Sequence, residues 1–115
     1  MADFSIHYTD SCKSQIKHQF KFLTLKMGNQ PASNYVQQTL AGFEERVANH
    51  PNSTPLCSEL VNLGLTRFRD YVDSNKQFRL LYTVDENNQC INVVAFLNTR
   101  QSIREALIDF CLMFE

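Results

Sequence analysis

The sequence predicts one α+β domain: a four-stranded antiparallel sheet with an N-terminal strand, a helical hairpin on one face, a three-strand meander and a C-terminal helix. Three observations lead there. Two amphipathic stripes of helical period follow one another early in the chain. Three strand-like stretches then occupy residues 66–96, and the helical period returns after Asn98. At 115 residues, with no repeat and no low-complexity linker, residues 1–115 read as a single domain.

In Phe4-Ser5-Ile6-His7-Tyr8 apolar and polar residues alternate, as in a short strand with one buried face. Asp10 suits a helix N-cap, because its carboxylate can accept orphan backbone N–H groups. Cys12, Ile16, Phe20, Leu23 and Met27 then share one helical stripe, with lysines on other faces. Gly28 closes that helix, tolerating a left-handed backbone. Pro31 fits the first turn of a second helix, where Val36, Leu40, Phe43 and Val47 repeat the stripe. The pair makes a hairpin with a shared apolar side. His50-Pro51 stops it, and Asn52-Ser53-Thr54-Pro55 reads as an exposed loop.

The period then changes to two. In 66–73, Arg67, Arg69 and Tyr71 point one way, Phe68 and Val72 the other. In 77–84, Phe78, Leu80, Tyr82 and Val84 share a face opposite Gln77, Arg79, Leu81 and Thr83. Asp85 to Gln89 is a polar turn. Cys90 to Phe96 is apolar on both faces apart from Asn92, which predicts a central strand. Ser102-Ile103-Arg104-Glu105 fits a capping box, and Ile103, Leu107, Phe110 and Phe114 line one face of the helix it opens.

Composition excludes several classes. No window approaches the roughly 18 consecutive apolar residues of a membrane helix. Met1-Ala2-Asp3-Phe4-Ser5 lacks the start of a secretory signal, so a cytoplasmic location is expected. Cys12, Cys57, Cys90 and Cys111 are dispersed, with no C-x-x-C pair and no histidine at ligand spacing, so reduced thiols and no metal site are expected. The only glycines are Gly28, Gly42 and Gly64, too few and too scattered for a phosphate loop, so no cofactor is expected.

With a net charge of −1, any nucleic-acid contact must use a local patch. Arg67 and Arg69 share a strand face with Tyr71, an arrangement suited to phosphate, stacking or an acidic partner helix. The bland alternative is a solvated face paired to Asp70, Asp73 or Glu59. Arg79 on the next strand and Arg100 beyond it add charge that repels unless something anionic visits. Arg104 opposes the helix dipole in its first turn, which fits either recruitment for contact or a simple surface residue. Lys13, Lys17 and Lys21 form a face that is either simply solvated or meets nucleic acid. His7 and His50 read as structural, and His18 as exposed. Tyr82 alternates with core positions. Ile103 and Leu107 are assigned to core, Phe110 and Phe114 to partner contact.

The element order resembles the RelE/ParE toxins of bacterial toxin–antitoxin modules. The resemblance is specific in Phe68-Arg69-Asp70-Tyr71, Phe78-Arg79-Leu80-Leu81-Tyr82-Thr83-Val84-Asp85, Ile91-Asn92-Val93-Val94-Ala95-Phe96 and Thr99-Arg100-Gln101. It implies one of two activities. RelE-like members cleave messenger RNA on the ribosome with basic residues; ParE-like members poison DNA gyrase. Carried over by position, Arg67 and Arg69 match the basic pair of the second strand, Arg79 the arginine of the third and Arg100 that after the fourth.

Two departures favour the ParE-like branch. No tyrosine occurs in Ile103-Arg104-Glu105-Ala106-Leu107, and no lysine lies in 67–73 to act as a base. Arginine, with a pKa above ~12, holds its proton too tightly for that role. The resemblance therefore implies a growth-inhibiting toxin whose target is DNA gyrase. Arg67, Arg69, Arg79 and Arg100 would bind the target or phosphate, and Tyr71, Arg104, Phe110 and Phe114 the antitoxin. That antitoxin would be ParD-like or another DNA-binding antitoxin, and operator DNA would be bound only through it, in a dimer or a heterotetramer. A ribosome-dependent endoribonuclease and a non-toxic binding module of the same fold remain the alternatives.

Overall fold

The computed structural model describes residues 4–103 and residue 105. Chain order is β1 (Ser5–Tyr8), α1 (Asp10–Met27), α2 (Asn29–Asn49), a short α3 (Ser58–Val61), β2 (Arg69–Val72), β3 (Phe78–Asp85) and β4 (Cys90–Asn98). The strands form one sheet in the order β1-β4-β3-β2. The α+β class, the four strands and the helical hairpin are those expected. Ile103 and Glu105 are helical, and the Glu105 N–H donates to Ser102 Oγ at 3.3 Å, the first half of the expected capping box. Arg104, Leu107, Phe110, Cys111 and Phe114 lie outside the described residues.

One expectation needs correction. The meander is antiparallel, but β1 pairs with β4 in parallel, from Ser5 opposite Cys90 to Tyr8 opposite Val93. The path of α1 explains this. Helix α1 leaves β1 and ascends beside β4, as successive hydrogen bonds record: Thr9 N–H to the Val93 carbonyl, Phe96 N–H to Gln15 Oε1, and Gln19 Nε2 to Gln101 Oε1. Helix α2 then descends, ending where Phe4 N–H meets the Ala48 carbonyl. The chain enters β2 from the end at which β1 began, and the outer strands of a three-strand meander run the same way, so β4 must parallel β1.

Local chemistry sets the helix ends. The N-cap is Thr9 rather than Asp10: its Oγ1 accepts the Cys12 N–H, and Asp10 occupies the first turn, complementing the dipole. Gly28, at φ +89° and ψ 167°, both ends α1 and starts α2, a backbone that a side chain would strain.

Two apolar layers enclose the sheet. On the helical side Leu23, Val36, Phe43 and Val47 meet Phe78, Leu80, Tyr82, Ile91, Val93 and Phe96. On the opposite side Cys57, Leu60 and Ile103 cover Leu81, Val94, Ala95 and Leu97. Strand β4 is thus buried on both faces, as its composition required, with a register shift near Leu81/Tyr82 that places Val94 and Ala95 in the same layer. Short α3 supplies Leu60 to that second layer. In the 52–55 loop Asn52, Ser53 and Pro55 are exposed as expected, but Thr54 is buried, bonded to the Tyr82 hydroxyl.

Polar side chains also hold this core. Gln15 Oε1 accepts the Phe96 N–H at 2.8 Å, docking α1 onto β4. Gln15→Leu, keeping size and losing the acceptor, should cost about 1–3 kcal/mol in urea denaturation. Exposed Ser14→Ala should change stability by less than about 0.5 kcal/mol.

Candidate functional site

The period-two alternation of β2 and β3 decides where the arginines go. Arg69 stands opposite Tyr82 and Tyr71 opposite Leu80, whereas Asp70 stands opposite Leu81 and Val72 opposite Arg79. Arg69 and Arg79 therefore project from opposite faces of the sheet. The expected gathering of Arg67, Arg69, Arg79 and Arg100 into one cluster does not form. Each has a different environment.

Arg79 sits diagonally across the hairpin from Asp70 and bonds it through Nε, at 3.2 Å from Oδ1, and through Nη2 to Oδ2. Only 15% of the Arg79 side chain and 12% of that of Asp70 remain exposed, so water screens the pair weakly. Burial alone would lower the Arg79 pKa, but the hydrogen bond and charge of Asp70 outweigh it and raise the value. Glu59 lies 3.7 Å from Nη1 but is half-exposed, and adds little. The Arg79 guanidinium, expected to bind phosphate, is thus neutralised by Asp70, a carboxylate that the sequence suggested as a partner for Arg67 and Arg69.

Arg69 is equally committed. Its Nη1 donates to the Thr54 carbonyl and, at 3.3 Å, to that of Asn52. With the Tyr82 hydroxyl donating to the Pro51 carbonyl at 3.0 Å, it pins the 51–54 loop against the sheet. Burial raises the Tyr82 pKa, so this phenol stays protonated and serves as structure rather than as a base. Tyr71 is half-buried beneath α2, edge-on to Phe43 with ring centroids 5.4 Å apart. Arg67 is exposed, in the irregular segment before β2.

Arg100 is exposed, just past β4, and keeps other company. It borders two adjoining clefts of about 340 and 320 Å³. Lys26, at the end of α1, borders both, and Lys76, from the β2–β3 turn, borders the second. That turn is built on buried Asp73, whose Oδ1 accepts the N–H groups of Gln77 and Phe78 at 2.7 and 2.9 Å, and Lys76 takes a positive φ of 56° within it. The Thr99 hydroxyl donates to the Lys76 carbonyl, locking the turn to the end of β4. Three cations from three elements thus converge, and among the described residues no carboxylate lines either cleft. Lys26 and Lys76 escaped sequence reading because only the closed fold brings them to Arg100.

Burial pushes the Cys12 thiol up to about 12 and raises Cys57, leaving both protonated at neutral pH. Among the described residues no group of three or more His, Cys, Asp or Glu could hold a metal ion.

Residues 6–103 match the profile of a family described as the ParE toxin of the type II toxin–antitoxin system, parDE. No curated protein matches the sequence. Solved structures do match in fold. A chain of the chromosomal ParDE toxin–antitoxin system of P. aeruginosa superimposes with a TM-score of 0.68 at 13% identity, covering 84% of this chain and 97% of that one. The isolated RelE toxin of E. coli gives 0.58 at 11%, covering 95% and 98%. A chain of the RelBE2 toxin–antitoxin complex of Mycobacterium tuberculosis gives 0.55 at 14%, covering 85% and 93%.

The Arg79–Asp70 pair makes a direct prediction. Asp70→Asn or Arg79→Gln should each lower stability by about 1.5–3 kcal/mol, because the surviving partner loses a charged hydrogen bond. The double variant should lose less than the sum, reporting the coupling. Arg100→Glu should leave the denaturation midpoint almost unchanged, within about 0.5 kcal/mol.

Proposed function

The chain belongs to the ParE toxins of type II toxin–antitoxin systems, and from that membership we propose that it arrests growth by poisoning DNA gyrase in the cytoplasm and is silenced by a cognate antitoxin. The observation that carries the choice of gyrase over messenger RNA is the Arg79–Asp70 pair. An RNA-cleaving site on this sheet needs free cations to hold phosphate and stabilise developing charge. Here Arg79 is neutralised, Arg69 is bonded to loop carbonyls, and β2 offers no lysine. What remains for a target is the surface of Arg100, Lys26 and Lys76.

A second reading has one observation in its favour. His18 borders the cleft that Lys26 and Arg100 also line, which places a proton acceptor beside two cations. A ribonuclease built there would differ in position from one built on the strands.

The antitoxin needs a surface of its own. Val61, Leu63 and Leu65 are exposed around the end of α3, and Val72 on the edge strand is 40% exposed. Exposed apolar residues gathered here, with an edge strand that segment 55–57 covers only at its start, fit an amphipathic partner segment. Arg67 lies in the same stretch and suits an acidic residue on that segment. Tyr71, under α2, contributes little to such a contact, whereas Arg104, Phe110 and Phe114 are proposed as further contacts on their sequence pattern. Operator DNA would be bound through the antitoxin.

Induction of the chain alone should stop growth, with chromosomes failing to replicate and transcripts intact, and the purified protein should inhibit gyrase supercoiling. Arg100→Glu should weaken that inhibition about tenfold or more, the cost of one interfacial charge contact. Cleaved transcripts with unaffected gyrase, abolished by His18→Ala, would establish the second reading instead. Leu63→Asp should release the antitoxin while leaving the toxin active.

A further inference from the structure

One buried carboxylate meets no cation among the described residues. Asp73, just past β2, is 6% exposed and is the single charged residue among the buried ones described. Its Oδ1 builds the turn, and its Oδ2 accepts the Tyr35 hydroxyl of α2 at 2.9 Å. Those donors are neutral, so they satisfy lone pairs without cancelling the charge. Among the described residues both ion pairs belong to Arg79, with Asp70 and with Glu59. Arg46, one turn past Gly42 on α2, is turned instead to the hydroxyl and carbonyl of Ser53.

A cleft of about 140 Å³ opens beside this carboxylate, between α2 and the end of β2. Tyr35, Gln38 and Gly42 are three and four residues apart and share one face of α2. Tyr71 and Asp73 meet them from the other side. Gly42 keeps the space open, because a Cβ there would stand 3.3 Å from the Tyr71 hydroxyl oxygen. No Lys, Arg or His lines the cleft among the described residues. Burial raises the pKa of both phenols, so they stay neutral at ordinary pH and their oxygens can accept hydrogen bonds. Tyr71 adds little to the apolar strip around α3, yet it walls this cleft.

Negative charge, two aromatic rings and several acceptor oxygens suit a planar, weakly hydrated cation rich in donors. A guanidinium has those properties, whereas an ammonium is compact and strongly hydrated. At about 140 Å³ the cleft falls below the roughly 300 Å³ at which small-molecule sites begin, so it suits one side chain. The adjoining strand edge can deliver one. Segment 55–57 covers only the start of β2, where Cys57 N–H donates to the Phe68 carbonyl and Asp70 N–H to the Pro55 carbonyl. Alternation turns the Val72 N–H outward too, beyond the covered stretch. An extended segment added there sends alternate side chains to the two faces of the sheet, one over Val72 and the next towards the cleft. We propose, on the reading that the antitoxin lies along this edge, that the cleft binds the guanidinium of an arginine carried by the antitoxin, paired with Asp73.

The test follows the Tyr35 and Tyr71 ring signals by NMR in the purified full chain, titrated with N-acetylarginine methylamide. Both rings should shift, and the lysine analogue should bind several-fold more weakly. Asp73→Asn keeps an oxygen for the Gln77 and Phe78 N–H groups and should lower affinity for the arginine probe about tenfold or more, the loss of one charged hydrogen bond. Gly42→Ala, which narrows the cleft from the helix side, should weaken the probe several-fold. Toxin already bound to its cognate antitoxin should not respond to the probe, and Asp73→Asn should loosen that complex by a similar factor. Unmoved tyrosine signals, equal binding of the lysine analogue, or full affinity in Asp73→Asn would each overturn the proposal. Agmatine binding a hundredfold or so more tightly than the capped arginine would overturn it in favour of a free small molecule. So would a complex that still takes the probe although Leu63→Asp releases the antitoxin. Retention of the antitoxin by Leu63→Asp would overturn its placement along β2, a separate failure that titration of the toxin alone does not produce.

Discussion

Strand β4 must be covered on both faces, and most of the architecture follows from that demand. Ile91, Val93 and Phe96 point towards the helices; Val94, Ala95 and Leu97 point away. A strand apolar on both sides cannot lie at an edge, so β1 pairs with one side of it and β3 with the other. The helical hairpin covers the first face. The second is covered from residues 57–68 and from Ile103, and the four-residue helix α3 exists to turn Cys57 and Leu60 inward. The irregular backbone between α2 and β2 is thereby part of the core.

That layering also fixes the electrostatics. Because β2 and β3 lie between two layers, a shift of one position along either strand sends a charge to the other side of the sheet. Arg69 meets the 51–54 loop on the helical side, and Arg79 meets Asp70 on the other. Like charges on neighbouring strands invite an anionic visitor only when nothing internal answers them. Here a carboxylate and two backbone carbonyls do, and both arginines serve the fold.

Much of this was legible in the chain and some was not, for physical reasons. Helices α1 and α2 run long enough to repeat their apolar stripe several times, and β4 declares its central place through composition alone. Helix α3, at four residues, is too short to show a period. The parallel pairing of β1 depends on α1 rising beside β4, which rests on Gln15 and Gln19, polar residues that a hydropathy pattern assigns to solvent. At the site, the facing of Arg79 away from the Phe78 and Leu80 side was readable from alternation, but Asp70 reads as a partner for Arg67 and Arg69 rather than for Arg79. Spacing could not choose among three carboxylates. The convergence of Lys26, Lys76 and Arg100 joins three ends of elements distant in sequence, and no local pattern encodes it.

Exposure alone does not make a cation useful to a partner, and the contrast between Arg67 and Arg100 shows why. Both side chains reach solvent. Arg67 leaves an irregular, exposed stretch and borders neither of the two cationic clefts. Arg100 leaves a turn whose own N–H is held by Asn98 Oδ1, while Gln101 ties the same turn to β4 and to α1. The ordering cost of the backbone has already been met by folding, and only side-chain rotamers remain to be fixed on contact. A binding surface made of few charges needs that preorganisation in a chain whose net charge is −1, where long-range attraction to an anionic target is weak. Affinity must then come from fixed, local geometry, and the junction of α1, the β2–β3 turn and the end of β4 is where this fold supplies it.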